Sequence, residues 1–148
     1  MSAFFVSENQ GRGMLELLIL MVQKMSRNAS GEDVCDFLYD VGEDLAKHYP
    51  LGHPERLGAL HLEMNDRLKS LGLGVCELTD CEQSLRIVHR KGPACKDPEF
   101  AADWQRFFAA LLCGLYNMWF YQSGAPAALG CRVESQNDVT TVLSFKKR

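Results

Sequence analysis

Apolar positions recur at spacings of three and four in four stretches of the chain and alternate in shorter ones. Leu15, Leu18, Ile19, Val22 and Met25 form the first helical stripe, over about 12–25. Leu17, Leu20 and Met21 widen it beyond one face. "RNASGED" breaks that helix. Ser30 with Asp33 forms a capping pair, in which the hydroxyl takes a free amide of the next helix's first turn. The second helix reaches about His48 on a stripe of Val34, Phe37, Leu38, Val41 and Leu45. "HYPLGHPE" is a two-proline turn, and Pro54 is placed to open a third helix. That helix carries Leu57, Leu60, Met64, Leu68 and Leu71, and "GLG" at 72–74 stops it.

The period then shortens. "GVCELT" (74–79) and "SLRIVHR" (84–90) read as two strands around "DCEQ". A long fourth helix is expected over about 99–122, ended by "SGAPAALG". Two last strands, near 129–134 and 139–145, flank the turn "SQND". Segregated helices and hairpins predict an α+β fold with a small antiparallel sheet. Residues 12–148 are expected to form one domain, preceded by a flexible N-terminal arm at 1–11. Phe4 and Phe5 on that arm call for a partner surface.

The fourth helix carries the sharpest question. From 107 to 121 the only strongly polar side chain is Asn117. Fifteen helical residues span about 22 Å, short of the roughly 30 Å of a bilayer core. Gln105, Arg106 and Gln122 bound the run, so a membrane span is not expected. A helix apolar nearly all round must be covered on most sides. The cover is either the rest of the chain or a second copy. The second copy is preferred here, and Gly114 would let a neighbouring backbone come close.

Composition narrows the rest. The chain has 148 residues, 47% of them apolar, enough for one sizeable core. A net charge of −3 gives no field for nucleic acid. Lys146, Lys147 and Arg148 read as a solubilising end. No leader-like n-region precedes an apolar core, and none of the six cysteines forms a CxxC pair. Reduced thiols and a cytoplasmic setting are expected, with the periplasm as the alternative.

No catalytic, cofactor-binding or metal-binding constellation is expected. His48, His53 and His61 are spaced too irregularly for one face, and no HExxH or GxSxG is present. His89 falls on the strand face of Ile87 and reads as a core or boundary histidine. Ser84 lies five positions from it, roughly 17 Å along a strand. The glycines around 72–74 lead into no helix start and no phosphate-binding Lys-Ser/Thr.

"LRIVH" at 85–89, "GLYNMW" at 114–119 late in a long helix, and "SGAP" at 123–126 before two terminal strands resemble the D subunit of bacterial cellulose synthase. The likeness in length and element order extends through most of the chain. It implies a non-enzymatic accessory or scaffold protein, dimeric and stacking into an octamer. Such a protein organises synthase complexes or guides β-1,4-glucan chains, with a proline-rich partner protein from the same operon. The resemblance further implies that N-terminal arms line glucan passages, which makes Phe4 and Phe5 candidate glucan or partner contacts. Tyr116, Trp119, Phe120 and Tyr121 are the candidate subunit interface. A reading from another class stays open: an α+β domain binding a small apolar ligand or an acyl chain in a cavity among its Met, Phe and Leu side chains.

Overall fold

The elements follow one another in the expected order: α1 (Ala3–Ser26), α2 (Gly31–His48), α3 (Leu57–Leu71), β1 (Val75–Cys81), β2 (Ser84–Arg90), α4 (Ala101–Gln122), β3 (Leu129–Gln136) and β4 (Thr140–Lys147). The computed structural model describes residues 3–137 and 140–148, with side chains of α1 described from Gly13 onward. The fold is α+β, with one antiparallel sheet in the order β1-β2-β4-β3.

Local chemistry sets most boundaries. The Ser30 hydroxyl accepts from the Asp33 amide at 3.1 Å, so the expected cap forms. Glu32 and Asp33 sit in the first turn of α2, and Lys47 and His48 in its last, matching the helix dipole. Gly72 ends α3 with φ of 71°, a left-handed cap that glycine adopts without strain. Two starts differ from expectation. α1 begins at Ala3, so its backbone is helical from there and not from about 12. No proline interrupts residues 3–11, and the one glycine there, Gly11, weakens a helix by about 1 kcal/mol without breaking it. α3 begins at Leu57, three residues after Pro54, because His53 turns the chain with φ of 57°.

β2 and β4 form the centre of the sheet, pairing Leu85 with Phe145, Ile87 with Leu143 and His89 with Thr141. Ile87, His89, Thr141, Leu143 and Phe145 are buried on one face. Arg86 stands on the other. The edge at β1 is protected by α3: Asn65 donates to the Cys76 carbonyl at 3.0 Å and accepts from its amide at 2.8 Å. The side-chain amide thus stands in for a neighbouring strand.

α4 is the hub. Trp104, Phe107, Leu111, Leu112, Leu115, Tyr116 and Trp119 are all at most 2% exposed. The cover comes from within the chain, chiefly α2 on one side and the sheet on the other. α2 comes close enough because both helices carry glycine at the crossing. A side chain on Gly42 would collide with the Leu111 carbonyl, and one on Gly114 with the Tyr39 carbonyl.

Candidate functional site

Several polar groups of α4 are spent on internal bonds, though the buried Oε1 of Gln122 finds no partner. The indole N–H of Trp119 donates to the Tyr49 carbonyl at 3.0 Å, and that of Trp104 to the Pro93 carbonyl at 2.8 Å. Asn117 donates to the Tyr39 hydroxyl at 2.8 Å and accepts from the Cys131 amide at 3.1 Å. One side chain therefore joins α2, α4 and β3. The Tyr121 hydroxyl donates to the Leu129 carbonyl at 2.7 Å, and the Arg148 guanidinium donates back to it.

His89 occupies the junction of β2, α4 and the loop after α3. Its Nε2 lies 2.7 Å from the Leu73 carbonyl, which can only accept, so Nε2 carries the proton. Nδ1 is then the acceptor, and the Tyr116 hydroxyl donates to it at 2.6 Å. Phe108 and Tyr116 meet the ring edge-on, with centroids 5.7 and 5.9 Å away. Burial lowers the His89 pKa from 6.5 to about 4, against the Leu73 bond, which favours the charged form. The ring is neutral at pH 7 and 1% exposed. Both nitrogens are engaged, so neither is free to take a substrate proton. The Cys76 thiol, whose pKa burial pushes up to about 11, is hydrogen-bonded to the same Tyr116 hydroxyl. The unit is a buried polar bolt. Among the described residues, no group of three or more His, Cys, Asp or Glu could hold a metal.

The four expected interface residues differ in how much surface they leave open within one chain. Tyr116 and Trp119 are fully buried and Phe120 is 4% exposed, all inside one chain. Phe120 packs on Phe145 at 4.5 Å and near Tyr116 at 6.5 Å. Only Tyr121 of the four is half-buried, edge-on to Phe145. Phe4 and Phe5 have side chains outside the described residues. The aromatic side chains that could have lined an acyl cavity instead stack on each other, as Trp104 does on Phe108 at 5.6 Å.

Among the described residues, Leu62 and Phe37 are exposed on α3 and α2, and a run of exposed apolar side chains lies on α1. Met14 is 65% exposed, Leu17 49%, Leu20 54% and Met21 55%, while Ile19 and Val22 turn inward and are buried. Met14, Leu17 and Leu20 are three apart, and Met21 is four from Leu17, so they form one outward strip. A strip of four large apolar side chains is more than scattered surface hydrophobes account for. The signal was in the sequence: α1 is apolar on more faces than one neighbour covers.

A cleft of about 310 Å³ runs beside β2 and α4, lined by Arg90, Lys91, Gln105, Phe108 and Thr140 among others. No described helix is long and apolar enough to cross a membrane. Residues 2–146 match the family model for the D subunit of cellulose synthase. No curated protein matches the chain.

Proposed function

The chain belongs to the family of the cellulose synthase D subunit, and from that premise we propose that it is a non-enzymatic scaffold of cellulose biosynthesis that works as a homo-oligomer. The observation that carries this reading is the outward strip Met14, Leu17, Leu20 and Met21 on α1. A second copy burying that strip would remove about 1 kcal/mol of exposed apolar cost per half-exposed side chain. The self-contact is thereby assigned first to α1. Tyr121, half-buried at the end of α4, is the one member of the expected interface with surface to add.

In this reading the assembly meets the synthase complex and a proline-rich partner, organises synthase units or guides glucan chains, and works in the cytoplasm. Phe4 and Phe5, at the start of α1, are the proposed glucan or partner contacts. The way His89 is bolted favours the non-catalytic role, because both of its ring nitrogens are already hydrogen-bonded.

The test is complementation. In a cellulose-producing host lacking this protein, the wild-type chain is expected to restore ordered cellulose. A Leu17→Glu, Met21→Glu variant, folded but without the strip, is expected not to. Restoration by the variant overturns the assembly role, and sugar-nucleotide turnover by the purified chain overturns the non-enzymatic one.

A further inference from the structure

Cys113 and Cys131 are distant in sequence and adjacent in space. Cys113 lies on α4, one turn before Asn117 and on the same face. Asn117 holds the Cys131 amide at 3.1 Å, which fixes β3 against that face. The two thiols hydrogen-bond to each other. The Cys113 sulfur also takes a bond from the backbone at Val133, two residues further along the same side of β3. Both cysteines are half-buried. β3 is a sheet edge, held on one side only by β4.

The other four cysteines are placed differently. Cys76 is buried against Tyr116. The Cys81 thiol donates to the Thr79 carbonyl at 3.8 Å, and the Cys95 thiol to the Asp97 carbonyl at 3.5 Å. Cys35 is half-buried on α2, and burial raises its pKa.

We propose that Cys113 and Cys131 form a redox site, oxidised by a hydroperoxide to a disulfide that ties the central helix to the edge strand β3. Cys113 is the attacking sulfur. The hydrogen bond from Cys131 lowers its pKa, while the Cys131 thiol is raised well above the usual range by the same bond and by burial.

The steps balance. The Cys113 thiolate attacks one peroxide oxygen, the O–O bond breaks, and hydroxide leaves to become water with the proton that Cys113 gave up. Cys113 is now a sulfenic acid. Cys131 gives up its proton and attacks the Cys113 sulfur. The S–S bond forms, the S–O bond breaks, and the second hydroxide leaves as water with that proton. Two thiols are oxidised to one disulfide while one peroxide is reduced to two waters. An exogenous dithiol reverses the change by exchange. The inference is independent of self-assembly, since both sulfurs lie in one chain.

The test uses the reduced full-length chain and hydrogen peroxide, read by peptide mapping without reductant. The expected product links the peptides bearing Cys113 and Cys131. The chain then loses two of its six titratable thiols at unchanged particle mass, and its melting temperature rises until dithiothreitol is added. In Cys131→Ser the sulfenic acid at Cys113 is expected to persist long enough to be trapped by dimedone. The proposal is overturned if the wild-type chain keeps both thiols while exposed Cys81 is oxidised. Direct passage of Cys113 to sulfinic acid overturns it equally. The wild-type map decides the matter even if a variant fails to fold.

Discussion

Gly42 of α2 and Gly114 of α4 each leave room for a backbone carbonyl of the opposite helix, Leu111 for the first and Tyr39 for the second. The crossing is reciprocal, and neither contact is with a side chain that could swing away. An exposed mid-helix glycine replaced by alanine ordinarily gains up to about 1 kcal/mol. Here overpacking against backbone costs roughly 1–3 kcal/mol or more and pries α2 from α4. Gly42→Ala and Gly114→Ala are therefore expected to lower the denaturation midpoint. Gly58→Ala on α3, where an added methyl meets nothing within 4 Å, is expected to raise it slightly. Equal effects at all three positions would refute the crossing.

His89 makes stability depend on pH in one direction. Its folded pKa, about 4, lies below the ordinary 6.5, so between those values the unfolded chain binds the extra proton. The contribution is complete above pH 6.5, falls as pH drops toward 4, and is gone below it. The full gap is worth roughly 3 kcal/mol. Urea titrations from pH 7.5 to 4 should show this slope in the wild type and a flatter one in His89→Gln. Parallel curves for the two proteins would contradict a buried neutral histidine.

Tyr116→Phe removes the donor to His89 Nδ1 and leaves a buried acceptor unpaired, at a cost of about 1–3 kcal/mol. In a double-mutant cycle with His89→Gln the two losses are expected to fall short of adding, because they break one bond. Full additivity would mean that the 2.6 Å contact contributes nothing.

Trp119 and Leu17 separate folding from assembly. Trp119→Ala opens a cavity in the core and is expected to cost about 3–5 kcal/mol, with assembly lost only as a consequence. Leu17→Glu, at a position 49% exposed, is expected to leave thermal stability of the monomer within about 0.5 kcal/mol and to reduce assembly. Calorimetry beside sedimentation checks both. A Trp119→Ala chain that keeps its melting temperature but loses mass would return the contact to α4.

Most of the element order was legible because each period was locally unambiguous. The α2 stripe, the Ser30 cap and the "SLRIVHR" strand needed no tertiary information. The start of α1 was misplaced because "SENQ" is polar without being helix-breaking. The cover that one chain gives Phe107 to Tyr121 has a longer-range origin. Gly42 sits 72 residues before Gly114, and nothing local says that these glycines meet. With that approach available, one chain covers most of the helix. The pairings of His89 with Tyr116 and of Cys113 with Cys131 depend on the same sheet-to-helix docking and left no local pattern. The excess apolar faces of α1 were visible; which of them the fold would leave outward was not.

Light scattering on the purified protein at micromolar concentration decides whether this chain assembles through the outward strip of α1. The expected particle mass is a multiple of 16.6 kDa for the wild type, and a smaller one for Leu17→Glu, Met21→Glu. A wild-type particle of 16.6 kDa contradicts assembly.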